Sequence, residues 1–406
     1  MIKRLLSRFK QKKSKEDTSK LMMTYNRLPV SFERGQGMRL WDQNDKEYFD
    51  ALGGIAVNIL GHQHPAFTRA VKAAADSVLH VSNLFEIPAQ EALGQKLCDI
   101  TKMDRAFLCN SGTEANEAAL KIARKFGNDN GINNPIVITA ENSFHGRTMG
   151  ALSATGNDFV KKGFEPMLSG FAHVPYNDIE SIKKYQDNPD VVAVMLEPIQ
   201  GEAGIVIPDT DYLAKVREVC DKNNWLLIMD EIQSGMGRTG KWCEHHYANI
   251  QADVVTLAKA LANGIPIGAC LAHGKAAHVL QAGSHGTTFG GNPFAVSIAL
   301  SVIDIIEKDH LLEQATKQGD YLKSSLRLHL DDKKHVSEVR GKGLMLAIEL
   351  DQVFENLAQI FLDHGLVVNI TGGGKVIRLL PATIMQESDA NTITKIIAKV
   401  IDSLSE

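Results

Sequence analysis

Short apolar runs recur through the middle of the chain and alternate with segments whose apolar residues have a helical spacing. The runs lie around Phe107 and at Ile136–Thr139, Val191–Leu196, Leu226–Met229, Val254–Leu257 and Ile267–Leu271. Continuous runs of this kind are typical of parallel strands that are covered on both faces. The alternation of strands and helices therefore predicts an α/β fold with a mostly parallel sheet and helices on both sides.

Two of these runs end at charged residues. Asp230 closes the run that begins at Trp225, and Lys259 follows the run that ends at Leu257. An unpaired charge at the end of a buried strand is costly, and ligands of open α/β sheets bind at the carboxyl ends of strands. A desolvated lysine can attack a carbonyl group, and a buried aspartate can keep a pyridine nitrogen protonated. Pyridoxal 5'-phosphate (PLP) requires both groups, so the pair indicates a PLP site. On this pair alone, two separately solvated strand ends remain an equal alternative.

A phosphate-binding turn is predicted between the strand Arg105–Cys109 and an alanine-rich helix. Ser111 and Glu114 have the spacing of a capping box, and Gly112 allows the backbone to approach a ligand closely. Free amide groups and the helix dipole favour an anion at such a helix start. By itself the motif is weak, because the same cap begins many helices that bind nothing.

Together with further segments, these residues resemble the class III, fold type I PLP-dependent aminotransferases from about Tyr25 onward. Eight segments match in the family's order: Asn110–Glu117, Ser143–Thr148, Glu197–Glu202, Asp230–Gly240, Leu257–Leu261, His285–Pro293, Arg340–Met345 and Ile377–Pro381. The resemblance implies a large PLP-binding domain at residues 68–310. It also implies a small α+β domain built from residues 21–67 and 311–406, after a basic tail at residues 1–20.

The resemblance implies a role for each matching residue. Lys259 would bond covalently to PLP and shuttle a proton, and Asp230 would pair with the pyridinium nitrogen. Phe144 would stack on the ring, Gln233 would lie near the ring hydroxyl, and Thr288 would reach the phosphate in the neighbouring subunit. The implied cofactor-binding residues are Ser111, Gly112, Thr113, Phe144, His145, Asp230, Glu231, Ile232, Gln233, Lys259 and Thr288. The active unit would therefore be a homodimer with shared active sites.

The implied substrate-binding residues are Arg147, Thr287, Arg378, Glu202 and Ile55. Arg147 would bind one substrate carboxylate and Arg378 the α-carboxylate of glutamate, while Glu202 would pair with Arg378 when the other substrate is present. Ile55 stands where ornithine aminotransferases carry a tyrosine that contacts the free α-amine. An isoleucine cannot make that hydrogen bond, which favours a substrate with an acylated α-amine. The alternative is that Ile55 only fills space in the core.

The expected reaction is reversible amino transfer from N-acetylornithine to 2-oxoglutarate, giving N-acetylglutamate 5-semialdehyde and glutamate in arginine biosynthesis. Other ω-aminotransferases remain open, with succinyldiaminopimelate, succinylornithine, ornithine or 4-aminobutyrate as substrate. A non-catalytic family member is disfavoured, because it would not need Lys259, Asp230, Arg147, Arg378 and Thr288 together.

Composition limits the partners and the compartment. With 44 Lys and Arg against 48 Asp and Glu, the formal charge is −4, which calls for no nucleic-acid or membrane partner. Five cysteines without Cys-x-x-Cys spacing suit a reducing cytoplasm. The basic first 20 residues leave mitochondrial targeting as the alternative to a disordered tail. No metal site is expected, because the pairs His62/His64 and His245/His246 have no Cys or carboxylate at ligand spacing.

Overall fold

The computed structural model describes residues 20–404. The chain divides into two units, one ending at Ser31 and the other beginning at Phe32. Residues 20–31 contain no helix or strand. The tail predicted at residues 1–20 lies outside the described residues, apart from Lys20. All of the described helices and strands lie in the second unit.

Six of the fifteen described strands of the second unit coincide with the apolar runs predicted from the sequence. The strands are β1 Phe32–Gln36, β2 Arg39–Asp42, β3 Glu47–Asp50, β4 Arg105–Cys109, β5 Ile136–Ala140, β6 Phe171–Val174, β7 Val191–Leu196, β8 Leu226–Asp230, β9 Val254–Leu257, β10 Gly268–Ala272, β11 Val336–Lys342, β12 Met345–Leu350, β13 Leu366–Val367, β14 Asn369–Thr371 and β15 Val376–Leu379.

The helices are α1 Gly53–Ala56, α2 Pro65–Ala75, α3 Pro88–Thr101, α4 Gly112–Asp129, α5 Met149–Ala154, α6 Asp158–Lys161, α7 Ile179–Lys183, α8 Tyr212–Lys222, α9 Pro293–Lys308, α10 Leu311–Leu330, α11 Leu357–Asp363 and α12 Glu387–Ser403. Short 3-10 helices lie at Glu244–Ala248, Lys259–Ala262, Gly274–Ala276 and Gly372–Gly374. Among the described residues, no helix is both long enough and apolar enough to cross a membrane.

The central sheet has seven strands in the order β4-β10-β9-β8-β7-β5-β6. Strands β6, β5, β7, β8 and β9 pair in parallel, and only β10 runs against its two neighbours, β9 and β4. The prediction of a mostly parallel sheet is therefore confirmed. The parallel pairing brings the carboxyl ends of β7, β8 and β9 to one edge of the sheet.

Helices cover both faces of this sheet, as the continuous apolar runs predicted. Along β8, Leu227 and Met229 pack into a core that includes helix α9, while Leu226 and Ile228 pack into a second core with helix α4. Because successive strand residues point to opposite faces, a strand covered on both sides must be apolar at every position.

Two smaller sheets are formed by the two ends of the second unit. One has the order β1-β2-β3-β13, and the other has the order β11-β12-β15-β14. The parallel pairing of β13 with β3 joins segments that are far apart in sequence, with Leu366 opposite Phe49. The division into a large domain at 68–310 and a small domain from 21–67 and 311–406 stays a prediction.

Candidate active site

Asp230 and Lys259 lie at the same edge of the central sheet. Asp230 is the last residue of β8, and Lys259 follows the neighbouring strand β9 by two residues. Both side chains line one cavity of about 440 Å³. Lys259 has a φ of 44°, in the left-handed region that non-glycine residues rarely adopt. Such backbone strain is concentrated at functional sites, because the surrounding structure must enforce it.

The Asp230 carboxylate is held in a fixed orientation. Its Oδ2 accepts hydrogen bonds from Asn116 Nδ2 at 2.8 Å and from His145 Nδ1 at 2.8 Å, and its Oδ1 accepts one from the Ile232 amide at 3.1 Å. Asn116 Nδ2 also donates to the His145 carbonyl oxygen at 2.7 Å. The carboxylate is 4% exposed, so it can present a negative charge to the cavity with little competition from water.

The amine of Lys259 is suited to nucleophilic attack near neutral pH. Burial lowers its pKa from 10.5 to about 8, since the charged ammonium is disfavoured away from water. The carboxylate of Glu202 acts in the opposite direction, while the guanidinium of Arg378 lowers the pKa further. A lysine with a lowered pKa is the type that forms Schiff bases with carbonyl compounds.

The predicted phosphate-binding turn forms the start of helix α4 at the wall of the same cavity. Ser111 Oγ accepts from the Glu114 amide at 3.2 Å, as predicted. The reciprocal bond differs from a standard capping box, because Glu114 Oε2 accepts from the amide of Asn110 rather than that of Ser111. A Cβ atom at Gly112 would lie 2.7 Å from Ile232 Cδ1, so only glycine allows the helix start to approach Ile232.

Most of the predicted cofactor residues line this cavity. They are Ser111, Gly112, Thr113, Phe144, His145, Asp230, Ile232, Gln233 and Lys259, joined by the predicted substrate residue Arg147. The donor set combines an anion-binding helix start, an aromatic ring, a buried carboxylate and an amine with a lowered pKa. These groups fit the phosphate, ring face, pyridine nitrogen and aldehyde carbon of PLP respectively.

Arg378 and Glu202 form an ion pair beside the cavity. Arg378 Nη1 donates to Glu202 Oε1 at 2.6 Å and to Gln233 Oε1 at 3.2 Å, and Arg378 Nη2 donates to Asn369 Oδ1 at 2.7 Å. Burial raises the pKa of Glu202, but the adjacent guanidinium more than offsets this and the net pKa is lowered. The Glu202 side chain is therefore a carboxylate at neutral pH.

Besides Arg378 and Glu202, four predicted site residues do not line the cavity. Thr288 is exposed, and Thr287 Oγ1 accepts from Asn110 Nδ2 at 3.3 Å, outside the cavity. Ile55 has a φ of 67° and packs against an apolar cluster. Glu231 is directed away from the cavity into the core. Their roles at the site stay predictions.

Glu231 belongs to a buried cluster that the sequence spacing did not reveal. In the described part of the chain, ligand atoms of Glu231, Cys243 and His245 lie within 4.8 Å of one another. Glu231 Oε1 accepts from His245 Nδ1 at 2.8 Å and from the His245 amide at 2.9 Å, while Oε2 accepts from Ser234 Oγ. Both carboxylate oxygens already have donors, so the cluster is a hydrogen-bonded part of the core.

The lining residues that were not predicted as site residues include Asn116, Glu197 and Val57. Asn116 lies four residues after Gly112, on the same face of helix α4, so helical spacing could have identified it. Glu197 directly follows strand β7, in the position that Asp230 occupies on β8. Burial raises the pKa of the Glu197 carboxyl from 4.5 to about 7, with the Asp230 charge also raising it and His145 lowering it.

Comparisons with known proteins agree with this geometry. The family model described as aminotransferase class-III matches residues 22–401. The acetylornithine aminotransferase of Nitrosomonas europaea is 45% identical over 384 residues, which cover 94% of this chain and 98% of the relative.

Solved structures give the same result. An ornithine aminotransferase from Toxoplasma gondii ME49 matches with a TM-score of 0.92 and 31% identity, covering 95% of this chain and 93% of that chain. An acetylornithine aminotransferase from Elizabethkingia anophelis matches with a TM-score of 0.83 and 34% identity, covering 94% and 96% respectively. Enzymes of this family depend on PLP, and the donors around Lys259 and Asp230 fit that cofactor. The chain therefore belongs to the class-III aminotransferases and is a PLP-dependent enzyme.

Proposed function

We propose that the enzyme transfers the δ-amino group of N-acetylornithine to 2-oxoglutarate, a step of arginine biosynthesis. PLP supplies a carbonyl carbon for the amine and an electron-withdrawing ring for the carbanion. Lys259 holds and returns the proton at the reacting carbon, and Asp230 keeps the pyridine nitrogen protonated. The Asn116 and His145 hydrogen bonds fix Asp230 in the orientation that this role needs.

The arrangement of two arginines supports a pair of carboxylate-bearing substrates. Arg147 lines the cavity, and Arg378 lies beside it in an ion pair with Glu202. We propose that Arg147 binds a carboxylate of either substrate and that Arg378 binds the α-carboxylate of glutamate. Glu202 then withdraws from Arg378 only in the glutamate half of the reaction, so one site can accept both substrates.

The single observation that carries the acyl preference is the apolar wall of the cavity at Val57, which offers no hydrogen-bond partner to a free α-ammonium. The cavity wall at Val57 is apolar, and the nearby carboxylate of Glu202 is already paired with the guanidinium of Arg378. An ammonium buried against such a wall would have no hydrogen-bond acceptor, which an acylated nitrogen does not require. The 45% identity to an acetylornithine aminotransferase, over 94% of this chain, supports the same choice.

The test is a parallel assay of amino transfer to 2-oxoglutarate with the cofactor content matched by absorbance. The donors are N-acetylornithine, ornithine, succinylornithine, succinyldiaminopimelate and 4-aminobutyrate. We expect kcat/KM for N-acetylornithine to exceed that for ornithine by about tenfold or more, because an unpaired buried polar group costs about 1–3 kcal/mol. A preference for ornithine or 4-aminobutyrate would refute the acyl preference but not the chemistry, and a preference for a succinylated donor would change the acyl group.

We further propose a homodimer with shared active sites. Thr288 is exposed and Phe289 beside it is 63% exposed. The Phe289 ring contacts that of His80 at a tilt of 53°, with ring centroids 5.4 Å apart. Leu84 and Phe85, 87% and 68% exposed, are further large apolar side chains at the surface. Exposed apolar side chains of this size are typical of a subunit interface.

A complementation assay tests the shared sites. Lys259→Ala and Thr288→Glu subunits, each inactive alone, are mixed and exchanged. In a mixed dimer, one site has Lys259 from one subunit and an unchanged Thr288 from the other, so part of the activity should return. Mixing Lys259→Ala with Asp230→Ala serves as the control: both residues line the cavity of the same subunit, so every site of that mixed dimer stays damaged and no activity should return. Absence of recovery in the test mixture, or equal recovery in both mixtures, would contradict the role of Thr288.

A cytoplasmic location completes the proposal. All five cysteines are free and four of them are buried, which supports a reducing compartment. Measuring the distribution of the activity between cell fractions would test it.

A further inference from the structure

Glu202 stands on a short hairpin that crosses from the central sheet toward β15. We define this Glu202 hairpin as residues 200–206. Its ends are closed by an antiparallel bridge in which the amides of Gln200 and Val206 each donate to the other's carbonyl oxygen at 3.0 Å. Glu202 lies near its tip and reaches Arg378. Any movement of Glu202 away from Arg378 must therefore be absorbed within this hairpin or by rotation of its side chain.

The hairpin is held by side chains of the β11-β12-β15-β14 sheet. Arg340 Nε donates to the carbonyl oxygen of Ile205 at 2.9 Å, and Arg340 Nη2 donates to that of Gly204 at 2.6 Å. Thr371 Oγ1 donates to the Glu202 carbonyl oxygen at 2.5 Å. The backbone on both sides of the tip is thus bound to one rigid sheet, and that sheet also carries Arg378.

The backbone is strained where Arg340 binds it. Ile205 has a φ of 57° and is fully buried in an apolar cluster with Ile199, Val376 and Leu380. A positive φ is a genuine outlier for a β-branched residue, since its side chain crowds the backbone in the left-handed region. Strain of this kind persists only where packing and hydrogen bonds enforce it. These enforcing contacts are present in the structure in which Glu202 is paired with Arg378.

We propose that Ile205 is a specificity-determining residue whose strained backbone destabilises the Glu202–Arg378 pair, so that a substrate carboxylate displaces Glu202 more easily. The inference rests on the proposed function, in which Arg378 must be freed for glutamate and remain paired for the other substrate. Because the strain belongs to the paired state, its release on opening offsets part of the ion-pair energy. Without the strain, the site would favour the paired state and bind dicarboxylates more weakly.

Two substitutions separate strain from packing. Ile205→Ala and Ile205→Gly both remove the buried side chain, but only glycine adopts a positive φ freely. We expect the dissociation constant of glutarate, a dicarboxylate without an amine, to be about fivefold higher for Ile205→Gly than for Ile205→Ala, as the left-handed penalty of an L-residue implies. The KM for 2-oxoglutarate should rise by the same ratio, with the PLP absorbance of the two holoenzymes equal.

Ile199 provides the matched control. It is buried in the same cluster and is not among the described residues with positive φ. Ile199→Gly and Ile199→Ala should therefore give glutarate dissociation constants within about twofold of each other, because neither changes left-handed strain. An equal ratio at positions 199 and 205, or tighter glutarate binding by Ile205→Gly, would overturn the proposal.

A second measurement needs no variant. In a crystal structure of the wild-type holoenzyme with glutarate, we expect Glu202 withdrawn from Arg378 and Ile205 at a negative φ. Glu202 withdrawn with Ile205 still at a positive φ would overturn the proposal. The outcomes distinguish this inference from the proposed function. If glutamate does not aminate the cofactor of the wild-type enzyme, the proposed function is refuted. If amination is normal but the φ of Ile205 stays positive with glutarate bound, only this inference is refuted.

Discussion

Glu197→Gln tests how burial shifts the pKa of a carboxyl group in the active site, and how that shift affects stability. Glu197 Oε2 accepts from the Phe144 amide at 3.1 Å, and Oε1 accepts from the Gly201 amide at 3.3 Å. Glutamine keeps the shape and one acceptor oxygen, but its amide nitrogen cannot accept the second bond. The substitution therefore leaves one buried backbone N–H unpaired, which should lower the free energy of unfolding by about 1–3 kcal/mol at any pH.

The wild-type carboxyl also makes a pH-dependent contribution to the free energy of unfolding. This contribution destabilises the wild type at high pH, whereas the lost hydrogen bond destabilises the variant. The pKa of the carboxyl rises from 4.5 to about 7 on folding, so the folded state holds the proton more tightly than the unfolded state. Stability is then unaffected by this group below about pH 4.5, falls as pH rises toward about 7, and is lower by about 3 kcal/mol above it. Glutamine cannot ionise and removes this loss.

The assay is guanidinium unfolding of the cofactor-free wild type and variant at pH 5 and pH 8, so that PLP binding does not contribute. At pH 5 the variant should be less stable than the wild type by about 1–3 kcal/mol, and at pH 8 it should be equally or more stable. Glu218→Gln, on the exposed surface of helix α8, is the control and should show no such reversal. A Glu197→Gln difference that is the same at both pH values would refute the reasoning.

Three further predictions concern the cofactor and substrate contacts. Lys259→Ala should abolish turnover while circular dichroism stays native and the cofactor binds noncovalently; near-normal turnover would refute its role. Gly112→Ala should destabilise the fold by about 1–3 kcal/mol in thermal or denaturant unfolding, because the new Cβ would lie 2.7 Å from Ile232 Cδ1. Gly94→Ala is the control and should be neutral or stabilising, because a Cβ at that position has nothing within 4 Å. Arg378→Lys should raise the KM for 2-oxoglutarate by about tenfold with a smaller effect on N-acetylornithine, because an ammonium cannot form the two-pronged carboxylate contact; equal effects on both substrates would contradict the assignment.

The sequence by itself determined the central sheet and the two central residues of the site, Asp230 and Lys259. A strand buried on both faces must be apolar throughout, so the runs at β7, β8 and β9 were visible without any tertiary information. A charge at the end of such a strand needs a partner, which singled out Asp230 and Lys259. The same rule applies to Glu197 after β7, which was not among the predicted site residues although its sequence signal is the same as that of Asp230.

Only the tertiary structure decided which neighbouring side chains share the cavity. Glu231 follows Asp230 directly but points into the core toward His245, because successive residues at a strand end face opposite sides. Glu202 and Arg378 are far apart in sequence and meet only when β15 packs beside the Glu202 hairpin. The positive φ of Ile205 likewise has no local signal, since hydrogen bonds from Arg340 and packing from distant strands impose it against the preference of the residue.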